Sequence, residues 1–217
     1  MQPPYRTRLG RVGLKVIVTL AGACLAQWAC APMTSMPPPV PMPRGISQET
    51  GLAVRGNVPV AIQTEYLCSV GYLDGGCSGV GAETYYYRQF GHKVDLGVTA
   101  YVGPPTDGGG GVFMRYHVGE GPRHDVALHL STGWAWVEVG VPMALKVGEN
   151  SWVYTSPSVG FRSFTPFRIP LGYTRTLGQH GLLIFEVGTG SSLWGENYPY
   201  FTEYFNVYGS AGYARRF

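Results

Sequence analysis

The chain has 217 residues, enough for one domain or at most two. Apolar residues make up 45% and charged residues 13%, so a core can form, yet charge is about half the roughly 25% usual in soluble proteins. Glycine occurs 32 times and tyrosine 15 times, while Lys15, Lys93 and Lys146 are the only lysines. This excludes a disordered chain, argues against a helical cytoplasmic enzyme, and suits an all-β protein whose surface is not mainly in water.

Residues 1–31 have the form of an export segment. Arg6, Arg8, Arg11 and Lys15 precede the short apolar run Val16–Ala23, and small residues follow. The run is shorter than the ~20 apolar residues of a spanning helix. Leu20-Ala21-Gly22-Ala23-Cys24 resembles a bacterial lipobox, which implies a diacylated Cys24 as the mature N-terminus, with Cys30 as the alternative. Ordinary signal cleavage after Ala31 would leave Pro32 first. Residues 32–49 then form a linker, with Pro32, Pro37, Pro38, Pro39, Pro41 and Pro43 making it extended and semi-rigid. Such a spacer would separate a lipid anchor from the folded body at 50–217.

Removing 1–31 leaves 12 basic against 13 acidic residues, a net charge of −1. No electrostatic case for nucleic acid survives. Outside the export segment only Cys68 and Cys77 remain, flanking a glycine-rich loop. In an exported protein that pair is expected as a disulfide closing one surface loop.

From residue 50 onward the pattern has period two, as half-buried strands do. Leu52, Val54 and Val58 alternate with Ala53, Arg55 and Asn57, and Leu96 and Val98 with Asp95, Gly97 and Thr99. Val126, Leu128 and Leu130 alternate with Asp125, Ala127 and His129, and Val137 and Val139 with Trp136, Glu138 and Gly140. Glycine-containing breakers separate the runs. Strands are expected over 51–63, 82–90, 93–102, 111–118, 124–131, 134–147, 151–161, 167–177, 181–189 and 202–217. Apart from the short 132–133, connections alternate in length, with longer ones at 64–81, 103–110, 162–166 and 190–201. An antiparallel up-and-down β-barrel of about ten strands follows, with eight as the alternative count. Bacterial outer-membrane barrels combine an even strand number with short periplasmic turns and longer external loops.

The last strand adds a motif. Phe205, Val207, Gly209, Ala211, Tyr213, Arg215 and Phe217 share one face. A terminal strand ending on Phe resembles the signature of bacterial outer-membrane barrels, which their assembly machinery recognises. The resemblance implies Tyr213 and Phe217 as the assembly signal, membrane lipid and that machinery as partners, and the outer membrane as the location. Arg215 departs from the pattern, standing where an apolar residue is usual.

Alternation leaves open which face is wet. A soluble β-sandwich or calycin-like lipoprotein would bury the apolar rows and hold an apolar ligand. A membrane barrel would turn them outward. The polar rows are poor in Lys and Glu, and ten tilted residues span roughly 23 Å, near the ~25 Å apolar band of such barrels. Both favour the membrane. Trp134, Trp136, Trp152, Tyr85, Tyr86, Tyr87, Phe90, Tyr101 and Phe167 fall near strand ends, as interfacial girdles would.

Chemistry is sparse. His129, Ser131 and Glu138 resemble the His-x-Ser and glutamate of the lipid A 3-O-deacylase barrels, which would imply an esterase. The alternative is a polar row with no catalytic task. Gly108–Gly111 has no following helix to bind phosphate and is expected as a mobile loop. Arg55, Lys93, Asp95, Arg115, His117, Asp125, Glu138 and Glu186 lie on polar rows; in a narrow barrel they would pair with one another and plug the lumen, and in a soluble fold they would be scattered surface charges. No cofactor and no metal site is implied. The expected role is structural or surface-interacting, through the external loops.

Overall fold

A computed structural model describes residues 37–43, 45–59, 79–103, 108–133, 136–161, 167–193 and 203–217. Twelve strands occur there: β1 (Gln48–Pro59), β2 (Gly79–Phe90), β3 (Val94–Val102), β4 (Gly108–Glu120), β5 (His124–Gly133), β6 (Val137–Gly140), β7 (Met143–Gly148), β8 (Ser151–Thr155), β9 (Ser158–Phe161), β10 (Phe167–Leu177), β11 (Gly181–Leu193) and β12 (Glu203–Arg216). All pairings are antiparallel, and β12 pairs with both β11 and β1, so the sheet closes on itself.

The closed wall has ten staves. β6 and β7 run end to end along β5, and β8 and β9 run end to end along β10. The two breaks fall at Pro142 and Pro157. Proline cannot donate to a ladder, but its carbonyl still accepts. Ala127 N–H donates to Pro142 O at 2.9 Å and Val141 N–H to Pro157 O at 3.0 Å, so the wall continues across both. The inward phase also continues, from Glu138 through Pro142 to Ala144.

One end of the barrel carries the short turns 91–93, 121–123, 149–150 and 178–180 together with the C-terminus. Gly91 (φ 64°) and Gly178 (φ 63°) open two of these turns in the left-handed region, which glycine enters without strain. Here Ser47 and Gln48 N–H groups donate to the Phe217 carbonyl at 3.1 and 3.2 Å, tying first strand to last. This is the turn end. The opposite end, the loop end, is marked by the strand ends Pro59, Gly79, Val102, Gly108, Gly133, Val137, Phe161, Phe167, Leu193 and Glu203; residues 60–78, 104–107, 134–135, 162–166 and 194–202 lie outside the described residues.

The ten-strand expectation holds, with three local corrections. β1 begins at Gln48 instead of 51, because the ladder to β2 and β12 extends further. Gly108–Gly111 is the first stretch of β4, paired with Thr99–Val102, and not a mobile loop. Backbone ladders need no side chains, and the missing Cβ of Gly111 leaves room for the Trp136 ring, whose Cζ2 would lie 2.8 Å from it. The aromatics expected as girdles divide by parity: Trp136, Trp152, Tyr85, Tyr87 and Tyr101 are buried inside, Phe90 and Phe167 are exposed outside with Tyr86 half-buried, and Trp134 lies outside the described residues. The exposed outward aromatics towards the turn end are Phe90, Tyr116, Tyr173, Phe185, Tyr213 and Phe217.

The faces are inverted relative to a water-soluble protein. Leu128 is 53% and Val137 41% exposed, whereas their neighbours Ala127 and Glu138 are 0% and 2% exposed. The dry apolar core of the soluble alternative is thereby overturned. Period-two alternation is symmetric, so only closure of the wall decides which row is enclosed.

Many glycines have one physical reason. Tyr85, Phe113, Tyr154 and Tyr208 each lie directly across from a glycine on the neighbouring strand, at Gly51, Gly97, Gly172 and Gly188. A Cβ at those glycines would stand 2.0–2.6 Å from the facing ring. The rings lie flat on the inner wall because the facing residue has no side chain.

Candidate functional site: the barrel lumen

The inward rows bring together most of the charged residues singled out from the sequence. Asp95, Arg115, His117 and Asp125 form one cluster near the turn end. His117 lies between two carboxylates, with Nε2 3.0 Å from Asp95 Oδ2 and Nδ1 2.8 Å from Asp125 Oδ2. Arg115 Nη1 stands 3.6 Å from the same Asp95 oxygen, and its guanidinium lies over the Tyr87 ring at 5.8 Å. Beside this cluster, Arg216 Nε and Tyr85 Oη both donate to the fully buried Glu49, each at 2.6 Å.

Towards the loop end, Arg55 faces Glu83 at 3.7 Å and donates to the Gly103 carbonyl at 3.2 Å. Arg168 pairs with Glu138 and also donates to Ser158 Oγ at 3.3 Å. Glu186 accepts from Tyr154 Oη at 2.9 Å and Tyr208 Oη at 2.8 Å. Lys93 is the exception among the predicted charges: it lies exposed in a short turn.

Burying so many charges requires partners, since one ion left alone in such a site costs several kcal/mol. Pairing along the inner wall supplies them: Asp95 with Arg115 and Glu49 with Arg216 are direct cross-strand partners, and Arg55 and Glu83 lie on neighbouring strands. Sequence reasoning missed Glu49, Glu83, Arg168 and Arg216. Glu49 was within reach, being in phase with Gly51, Ala53 and Arg55.

The candidate esterase triple is not assembled as a catalytic relay. His129, Ser131 and Glu138 all lie on inward rows, and Ser131 is directly across from Glu138. The Glu138 carboxylate is held by Arg168, and the His129 ring stacks on Phe113 at 5.7 Å. Among the described residues no cluster of three or more His, Cys, Asp or Glu side chains is arranged to hold a metal ion.

The lumen also contains a piece of chain that is not wall. Pro37, Pro38, Pro39 and Val40 are buried. Val40 packs in the core cluster that includes Tyr85, Tyr87, Phe113, Tyr154 and Ile184, and Met42 packs against it. Arg115 donates from Nη2 to Pro37 O at 2.7 Å and from Nη1 to Pro38 O at 3.3 Å. This stretch belongs to the one expected as a linker.

Tyr213 on β12 and Phe217 just beyond its end are exposed on the outer face, and the Arg215 guanidinium lies over the Phe217 ring at 5.6 Å. Cys24, Cys30, Cys68 and Cys77 lie outside the described residues.

No family model and no curated protein matches the chain. Among solved structures, a de novo designed transmembrane β-barrel is similar at 12% identity and TM-score 0.41, over 82% of this chain and 100% of that one. The KdgM porin is similar at 10% identity and TM-score 0.42, over 77% and 99% of the two chains. Ail, the attachment invasion locus protein of Yersinia pestis, is similar at 12% identity and TM-score 0.31, over 79% and 97%. The strand pairings themselves, and not these loose likenesses, carry the fold.

Proposed function

We propose that the chain is an integral β-barrel of the bacterial outer membrane with a structural or surface-interaction role. The observation that carries this is the outward face. Thirty large hydrophobic residues of the described chain are exposed, from Leu52 and Val54 on β1 to Val207 and Tyr213 on β12. Soluble monomers rarely expose contiguous apolar patches beyond a few hundred Å². A lipid belt resolves the mismatch, because a closed wall leaves no backbone group unpaired in hydrocarbon. The turn-end aromatics then sit at one interface and Arg88, stacked over Phe90 at 5.4 Å, reaches the headgroups. The turn end faces the periplasm and the loop end faces outward, where the long connections offer binding surface. With the inner charges paired to one another, no catalytic role is assigned.

Cysteines placed singly at Ala127, Leu128, Val137 and Glu138 test this in native membranes. The Leu128 and Val137 sites should react with a lipid-soluble thiol probe and resist an aqueous one. Inert Leu128 and Val137 sites, with freely reactive Ala127 and Glu138 sites, would overturn the reading.

The export segment and terminal motif complete the proposal. Lipid is attached at Cys24, or at Cys30 if Cys24→Ala still incorporates labelled fatty acid. Neither cysteine labelled would leave a purely integral barrel. Cys68 and Cys77 form a disulfide in the loop they flank, contributing about 3 kcal/mol at most by loop closure; two free thiols in non-reduced material would refute it. Tyr213 and Phe217 are read by the outer-membrane assembly machinery, so Phe217→Ala should lower the assembled fraction without altering synthesis.

A further inference from the structure

We propose that the turn-end half of the lumen is a binding site for an extended proline-rich peptide, occupied in cis by Pro37–Pro43, which closes that end of the barrel as a seated plug. The sequence of the segment explains why it can be buried there. Every residue from Pro37 to Pro43 is a proline or precedes one, which confines the backbone to extended conformations before any contact forms. Ordering it therefore costs less entropy than ordering an average peptide. Five of the seven residues are prolines and carry no N–H, so only Val40 and Met42 bring backbone donors into the lumen. Val40 N–H is satisfied within the segment, donating to Pro38 O at 2.9 Å and closing a tight turn at Pro39 within the otherwise proline-restricted run. What remains besides the Met42 N–H is a row of carbonyl acceptors, and Arg115, which has donors and no acceptor, faces two of them.

The wall around the segment fits the same reading. Tyr85 and Tyr87 stack with centroids 6.2 Å apart, and Phe113 meets Tyr87 edge-on at 6.1 Å. Aromatic walls with an interspersed donor are the usual receptor for extended proline-rich peptides. At its other end the segment leaves the lumen through a turn, Ile46 N–H donating to Pro43 O at 3.1 Å with Gly45 at φ 83°, and enters β1 at Gln48. That turn is the hinge on which the segment would swing. The segment is not part of the wall, so it can leave without breaking a strand pairing.

Folding in detergent allows a test that does not depend on the outer-membrane reading, so the two can fail separately. In a chain with Cys24, Cys30, Cys68 and Cys77 replaced by Ser, Val40→Cys is exposed to a small aqueous methanethiosulfonate reagent. Heat-modifiable gel migration certifies the folded barrel. Labelling should be at least 100-fold slower folded than in urea. Adding Arg115→Met should speed it at least tenfold. Replacing Pro37, Pro38 and Pro39 together by Ala should do the same while leaving every wall residue in place, because it brings three unpartnered N–H groups into the lumen. The synthetic peptide Pro-Pro-Pro-Val-Pro-Met-Pro, fluorescently labelled, should bind a barrel lacking residues 37–43 at least tenfold more tightly than the full chain, whose own segment competes at high effective concentration. Labelling as fast in the folded chain as in urea would overturn the plug. Equal peptide binding to both barrels, or none to either, would overturn the site.

Discussion

The two faces of one strand obey opposite rules in this protein. On β5, Leu128 and Leu130 point outward and are exposed, while Asp125, Ala127 and Ser131 point inward and are buried. On β12, Tyr213 and Arg215 face out while Ala214 and Arg216 face in. Outside, no second layer of the protein covers the side chains, so shape is less constrained and charge is penalised by the proposed lipid away from the strand ends. Inside, charge is tolerated because each ion has a partner, and shape is constrained because rings rest on glycines. Residues adjacent in sequence therefore differ in what their mutation should do.

The largest effect should come from breaking an inner pair. Arg216→Met removes the guanidinium from a Glu49 that is 0% exposed, leaving a buried carboxylate short of a partner. A loss of about 3–5 kcal/mol is expected, read as a lower urea midpoint for the folded, heat-modifiable band. An unchanged midpoint would mean water reaches Glu49 and the lumen is wet. Next comes the reverse insult on the outer face. Leu128→Arg should cost about 2–4 kcal/mol if the site lies near the bilayer midplane, and reduce the assembled fraction in membranes. In the soluble picture, overturned above, the same change would instead destroy a core and abolish folding in detergent as well.

A smaller effect separates shape from charge on the inside. Gly172→Ala would place a Cβ 2.0 Å from Tyr154 Cζ, and displacing that ring also loosens its bond to Glu186. Overpacking of this kind costs about 1–3 kcal/mol. Tyr154→Phe in the same background should recover none of it, since the ring and not the hydroxyl makes the clash. The smallest effect is expected at Gly56, an outward strand glycine with nothing within 4 Å of an added Cβ. Gly56→Ala should be neutral or stabilising by roughly 0.5–1 kcal/mol, because it restricts the unfolded chain. A loss at Gly56 as large as that at Gly172 would show that the inner and outer glycines do not differ in the way their surroundings suggest.

Strand number, strand phase and the short turns are local properties, and they were legible. Alternation over Val94–Val102 and His124–Gly133 identified which residues share a face. Glycines at 91 and 178 marked two of the turns, where a left-handed backbone needs them. Proline had two meanings that the sequence leaves undivided. Pro142 and Pro157 interrupt staves that otherwise run on, whereas Pro37–Pro43 suggested a solvated spacer and part of it is buried instead. Both outcomes follow from the missing N–H, and the surroundings decide which applies. Aromatic positions were similarly ambiguous: Trp136 and Trp152 lie on the inward parity, and proximity to a strand end could not place them on a girdle.

By itself the sequence determined that the chain forms about ten antiparallel strands and which residues stand together on each, since both follow from a two-residue period and from turn chemistry. It could not determine which face is enclosed, because alternation is unchanged when the two faces are exchanged. Closure between β12 and β1 broke that symmetry. Once the wall closed with the charged rows inside, strand register set which buried ions met as partners. Arg216 then met Glu49 across 167 positions of sequence, and Arg115 met the carbonyls of Pro37 and Pro38. Such pairings depend on the register and curvature of the whole barrel, which no local segment encodes.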